Sequence, residues 1–387
     1  MTAFTPEERE RIIALRRALH AAPELSWQEH ATQRTLRAAL AQAGITDIQS
    51  VAGTGLVATI PGRDSSAPMV AIRGDIDALP IHEATGLPFT SQHPGVMHAC
   101  GHDMHAAWTV AAGILLARDP AVGAVRLVFQ PAEEVGEGAA RILASGALDE
   151  VQMIFGGHVD WRFQVGEVVA TAGALAASTD TFSIVFHGRG GHGARPQDAI
   201  DPIMGLSAFV MAVQTLVSRR LDPGLPGVVT VGAIEAGRAA NVIPEQARAT
   251  GTIRATTPAT RALLCDGVRA LAESVAATHG LRAEVTVSEG TPPLVNTAGA
   301  ATIAQEAVRI LLGDTALRSL ATANMGGEDF ACYTERMEGC FLRIGTWSEG
   351  RSDAGVHTPR FDPDEEALFV GGAVLAECAR RAHAARR

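Results

Sequence analysis

Short, fully apolar runs alternate with helix-forming stretches along the first part of this chain, the pattern of strands that a parallel sheet buries on both faces. MVAIRG, VRLVFQ and VQMIFG are the clearest runs, preceded by GLVATIPG. Ahead of them, MTAFTPEERERIIALRR reads as a polar helix with Thr5 as N-cap, Pro6 in the first turn and Glu8 three residues after the cap. LRRALHAAPELSWQEHATQRTLRAALAQAG then predicts two helices, broken at Ala22 and Pro23 and closed by Gly44. Further helices are expected over AAWTVAAGILLA and around AARILASGAL.

From about Ala177 the pattern changes. TFSIVFHGRG, a long helix IDPIMGLSAFVMAVQTLVSRR, VVTVGAIEAG, QARATGTIRAT, a second helix RALLCDGVRALAESVAATHG and RAEVTVSEG follow in β-α-β-β-α-β order, the order of a ferredoxin-like domain. These strands alternate apolar and polar positions more than the earlier ones, so two helices should cover one face and leave the other open. The chain then returns to the first texture, including CFLRIG. The expected fold class is α/β. A discontinuous domain of residues 1–177 and 291–387, with a mainly parallel sheet flanked by helices, carries an inserted ferredoxin-like α+β domain at 178–290.

Composition narrows the function. The hydrophobic fraction of 47% over 387 residues supports a sizeable core. No apolar run reaches the eighteen or so residues that a membrane span needs, so no membrane partner is expected. The formal charge of −10 and the lack of a basic cluster argue against nucleic acid. All 32 cationic side chains are arginine, which excludes lysine Schiff-base chemistry and a Walker-type phosphate loop. No G-x-S-x-G elbow occurs. The five cysteines are scattered and odd in number, and the N-terminus reads as a helix rather than a signal peptide, so a cytoplasmic protein is expected.

The chemistry concentrates at strand ends. MVAIRG runs into Asp75 and Asp77, VRLVFQ is followed by Glu133 and Glu134, and His158 follows VQMIFG after one further glycine. In an open α/β sheet, sites form at the carboxyl ends of the strands. Met97 to Ala107, MHACGHDMHAA, adds Cys100 and His102 two residues apart across a turn glycine, Gly101. Thiolate and imidazole are ligands preferred by zinc and similar ions. Glu133 and Glu134 should leave opposite sides of an extended backbone, one toward metal and one toward water. Asp77 and Asp103 are expected to orient ligand histidines. His105 reads as a core histidine.

With MHACGHDMHAA, QPAEE, GGHV, GGHGARP, ANVIPEQARATGTIRA, MGGEDFA and VHTPRFD in order, the chain resembles the amidohydrolase branch of the metallo-aminoacylase and carboxypeptidase superfamily. That branch includes hippurate hydrolases, indole-acetyl-amino acid hydrolases and N-acyl-amino acid deacetylases. The resemblance implies that Cys100, His102, Glu134, His158 and His357 hold two divalent ions per subunit, bridged by Cys100. Zinc or manganese is expected, with cobalt and nickel also compatible. It further implies Glu133 as catalytic base and acid, acting on a water that the ions clamp and acidify. His192 is implied as a lid histidine reaching the neighbouring subunit's active site, and Asn241 and Arg254 as binders of the substrate carboxylate. Glu328 is placed in the substrate pocket or at a helix cap. The wider superfamily carries a histidine where Asp75 stands and an aspartate where Cys100 stands. The implied activity is hydrolysis of N-acyl-L-amino acids by a homodimer formed through the inserted domain, with a tetramer as the larger alternative. A dipeptidase or aminopeptidase on the same scaffold, or a non-catalytic binder, are the rival readings.

Overall fold

A computed structural model describes residues 4–384. They form two compact units: one comprises the described residues up to Gly173 together with Asn296–Ala321 and the chain from Asp329 onward, and the other comprises Ala174–Val295 and Thr322–Glu328. The insertion thus starts a few residues before the expected 178 and ends a few after 290. The short segment Thr322–Glu328 belongs with it because it is tied there by backbone bonds, Asn324 to Leu175 and Ala177 to Gly326.

The larger unit is built on an eight-stranded sheet in the order Ile48–Val51, Gly55–Ile60, Val125–Gln130, Met69–Asp75, Val151–Gln164, Glu338–Trp347, Val168–Val169, Leu317–Arg318. Its four central strands run parallel, while Gly55–Ile60 joins antiparallel at one side. Strands Gly55–Ile60 and Met69–Asp75, buried except for the half-buried Thr59 and Met69, explain the continuous apolar runs. Helices flank the sheet. Helix His102–Arg118 is buried nearly all round, and its Trp108, Leu115 and Leu116 share one core with Ile72 and Phe155 of the sheet and Val374 of helix Ala367–Ala384. A Cβ on Gly371 would fall 2.6 Å from the Trp108 ring, so this glycine allows the two helices to approach. The first helix, Pro6–Ala21, carries the expected capping box between Thr5 and Glu8 and runs unbroken to Ala21.

The smaller unit has a four-stranded antiparallel sheet in the order Gly227–Ala236, Gln246–Ala255, Asp180–His187, Arg282–Ser288, the ferredoxin-like order. Phe182, Ile184 and Phe186 pack against Leu206, Phe209 and Val213 of helix Pro202–Thr215 and Leu264 and Val268 of helix Pro258–Thr278. By length and composition alone, the stretch Pro202–Arg220 is long and apolar enough to cross a membrane. Its apolar side is accounted for in part by this core, as the buried Leu206, Phe209 and Val213 show.

Candidate metal centre

Each candidate side chain is placed by a local backbone device. Gly101, at φ 80, caps helix His102–Arg118 in the left-handed region, turning the chain between Cys100 and His102. A Cβ there would come 2.8 Å from Val159 Cγ2. Asp75 ends its strand, and Ile76 N–H donates to the Gln130 carbonyl, holding Asp77 beside the end of the neighbouring strand. Glu133 and Glu134 lie in a turn after Val125–Gln130, with Ala132 at φ 53 and Gly136 N–H donating to the Glu133 carbonyl. His158 lies within strand Val151–Gln164, which continues well past the expected end at Gly156–Gly157. His357, at φ 62, is anchored by its N–H to the Ala99 carbonyl at 2.8 Å, which joins its loop to that of Cys100.

These devices bring five residues together. Cys100 Sγ lies 3.3 Å from His158 Nε2 and 3.2 Å from His357 Nε2. His357 Nε2 is 3.5 Å from Glu134 Oε1, and His102 Nε2 is 3.8 Å from Glu134 Oε1. Two sets, Cys100–His102–His158 and Cys100–Glu134–His357, have donor atoms within 4.8 Å of one another, and Cys100 belongs to both. The ring nitrogens facing away from the cluster are held in place. His102 Nδ1 donates to Asp77 Oδ1 at 3.2 Å, and His158 Nδ1 donates to the Val159 carbonyl at 2.8 Å. The second Asp77 oxygen accepts from Ser26 Oγ and from the Glu134 N–H. Fixed in this way, His102 and His158 turn Nε2 inward as acceptors, the orientation a metal ligand needs.

Whether such residues suit divalent cations is tested by what lies unmatched. His102 Nε2 and Glu134 Oε1 are buried and have no hydrogen-bond partner. Each such orphan costs about 1–3 kcal/mol unless something satisfies it. Burial, helped by Glu134, pushes the Cys100 thiol well above its ordinary range, and burial pushes Glu134 up to about 7. A cation between them would relieve both. The donor set of one sulfur, three imidazoles and a carboxylate fits a pair of borderline-soft divalent ions.

Several expectations meet a different geometry. Glu133 and Glu134 do not diverge: Glu133 Oε2 and Glu134 Oε1 both lie 3.8 Å from His102 Nε2, because the segment is a turn rather than an extended strand. Asp103 does not orient a ligand. It accepts instead from Arg16 Nε at 2.8 Å and His20 Nδ1 at 2.7 Å, deep in the core, since helix His102–Arg118 points it away from His102. In the smaller unit, His192 is exposed, and its Nδ1 accepts the Ala194 N–H at 3.0 Å, leaving Nε2 as the protonated, donating nitrogen. Asn241 is also exposed and is joined to the same hairpin by its carbonyl, which accepts from Gly193 N–H. Arg254 is half-buried, with Nη1 donating to the Asp180 and Ile253 carbonyls. Glu328 is buried. The sequence reading passed over Arg73, which is fully buried and bonded to Asp75, Gln130 and Asp329. The only local signal was an arginine inside an otherwise apolar strand.

A protein-family model described as peptidase family M20/M25/M40 matches residues 71–381. An N-acetylcysteine deacetylase from Bacillus subtilis is 40% identical over 95% of this chain and 96% of that protein. An IAA-amino acid hydrolase, ILR1-like 2, from Arabidopsis thaliana is 37% identical over 97% of this chain and 86% of its own length. Among solved structures, a dinuclear metal-binding peptidase of the M20 family from Bacillus subtilis superposes with a TM-score of 0.86 at 37% identity, covering 98% of this chain and 99% of that one. With a family model spanning most of its length and full-length relatives above 30% identity, this chain belongs to peptidase family M20/M25/M40 and is a hydrolase of that family.

Proposed function

We propose that this M20 amidohydrolase hydrolyses the amide of N-acyl-L-amino acids, giving a carboxylic acid and a free amino acid, with two divalent ions per subunit. The observation that carries the reading is the pair of donor sets sharing Cys100, with His102 Nε2 and Glu134 Oε1 buried and unmatched between them. Cys100, His102 and His158 would hold one ion, and Cys100, Glu134 and His357 the other. When bound, such ions supply Lewis acidity, which acidifies water and polarises a carbonyl. The shared thiolate favours zinc, with manganese as the alternative.

Glu133, largely buried beside His102, is the proton carrier. Its carboxylate takes a proton from the attacking water and returns it to the departing amine nitrogen. Asp77 acts through others, fixing the His102 ring and the Glu134 backbone. His192, with its donating Nε2, is assigned the hydrogen bond to the scissile carbonyl oxygen. Asn241 and Arg254 are assigned the substrate carboxylate, which suits a guanidinium fork, and Glu328 a place in the substrate pocket. Relatives named for N-acetylcysteine and for IAA-amino acid conjugates support an acylated amino acid as substrate.

A homodimer through the smaller unit fits its exposed Met204, Met211 and Ile234. The five cysteines, odd in number and scattered along the chain, suit a reducing cytoplasm. The test is a screen of hippurate, N-acetyl and indole-acetyl amino acids, beside dipeptides with free amino groups, with and without chelator. Chelator-sensitive turnover of the acylated compounds is expected. Turnover confined to free dipeptides, or indifferent to chelator, would overturn the proposal.

A further inference from the structure

Asp75 comes within 3.8 Å of the cluster, Oδ2 to His102 Nε2, yet both of its oxygens are engaged elsewhere. Oδ2 accepts from Arg73 Nη1 at 2.5 Å and Oδ1 from His105 Nδ1 at 2.6 Å, and all three side chains are fully buried. Arg73 is braced in turn by Gln130 at 2.9 Å and Asp329 at 3.0 Å. His105 is stacked on Trp108, ring centres 4.7 Å apart. Its second nitrogen, Nε2, accepts the N–H of Val159 at 2.9 Å. That bond settles the tautomer: the proton sits on Nδ1 and points at Asp75.

Val159 follows His158, and its position in the sheet explains why the bond matters. Strand Met69–Asp75 pairs with strand Val151–Gln164 only as far as Arg73 and Gly156. Beyond that point the sheet offers no further ladder partner on this side, and His105 supplies an acceptor in its place. The carbonyl of the same residue accepts from His158 Nδ1. Both backbone groups of Val159 are therefore pinned, one by His105 and one by the ring of His158 itself.

We propose that Asp75 and His105 are positioning residues that aim His158 Nε2, through the backbone of Val159, at the Cys100–His102–His158 ion and not at the Cys100–Glu134–His357 ion. The inference rests on the dinuclear reading above. Arg73 fixes Asp75, Asp75 fixes the tautomer and tilt of His105, and His105 fixes the stretch of backbone that carries His158. Partners of this kind, one step removed from the metal, alter affinity by about 10–100-fold when removed.

The test uses His105→Phe, which keeps a ring against Trp108 but removes both hydrogen bonds, and Asp75→Asn, which keeps an acceptor for His105 but loses the charge facing Arg73. Metal-free wild type and variants are titrated with zinc against a chromophoric chelator, and with cobalt followed by absorption. In His105→Phe, one ion should bind about 10–100-fold more weakly while the other keeps its affinity, with a smaller selective loss in Asp75→Asn. The thiolate-to-cobalt band should persist, because Cys100 still serves the unaffected ion, while the ligand-field bands of the other change. Unchanged affinity for both ions, or equal weakening of both alongside a lower Tm of the metal-free protein, would overturn the inference. Should His105→Phe fail to fold, the same readings on Asp75→Asn decide. Wild-type protein that takes up no ions would overturn the dinuclear reading and this inference with it, whereas normal wild-type loading with unselective variants sinks the inference alone.

Discussion

Cys100 and His357 are 257 positions apart in the chain and 3.2 Å apart in space, sulfur to Nε2. Cys100 also meets His158 at 3.3 Å, so its sulfur belongs to both of these donor sets while His158 and His357 each belong to one of the two. Removing them should therefore have unequal effects. Cys100→Ala is expected to abolish loading of both ions and His357→Ala to abolish one, as read by metal analysis of dialysed protein. Equal stoichiometry in the two variants would show that the sulfur is not shared.

Glu133 lies beside the cluster without belonging to either of the two sets that share Cys100. Glu133→Gln keeps the shape and removes the basic site. Metal content should stay at the wild-type level while kcat falls by about two to four orders of magnitude. Retained turnover would remove Glu133 from the proton-transfer role.

Loading should release protons. Burial holds the Cys100 thiol well above its ordinary range and Glu134 up at about 7, so the metal-free protein keeps protons that bound cations would displace. The sign follows: protons compete with metal below those pKa values, so affinity rises with pH, steeply through neutrality. Zinc titration in weakly buffered solution with a pH indicator should show acidification, less above pH 8 than at pH 6 as Glu134 loses its proton beforehand. Uptake with no proton release at pH 6 would contradict the ligand assignment.

Gly101 is the hinge between two proposed ligands. Gly101→Ala forces a left-handed alanine, at about 1–2 kcal/mol, and sets its Cβ against Val159. A lower Tm and weaker metal binding are expected together, measured by thermal unfolding and chelator competition. A substitution that leaves both unchanged would mean the turn is not needed to place Cys100 and His102.

His192 tests assembly and chemistry together. If it donates to substrate held by the partner subunit, inactive His192→Ala and Glu133→Ala proteins should regain part of their activity when mixed as heterodimers. No recovery in verified heterodimers would assign it to its own subunit.

Local signals in the sequence foretold some parts of this protein and not others. Thr5 and Glu8 announced their capping box, and Cys100-Gly101-His102 its turn, because both depend on residues within one or two helical turns. The insertion was visible because period-two strands replaced buried ones near Ala177. The turn at Glu133 and Glu134 was misread as extended, since the left-handed backbone at Ala132 belongs to a residue with no local preference for it. Asp103 was misdirected because its partners, Arg16 and His20, come from a helix more than eighty residues earlier.

By itself the amino-acid order determined the elements, their buried faces, the split of the chain into a mainly parallel α/β part and a ferredoxin-like insertion, and the inventory of candidate ligands. Only the tertiary structure decided which acid serves which histidine: Asp77 behind His102 and Asp75 behind His105. The reason is physical. Periodicity and capping are short-range and recur along the chain, whereas a buried hydrogen bond between distant residues is chosen by where the folded sheet brings their backbones, and no neighbouring residue records that choice.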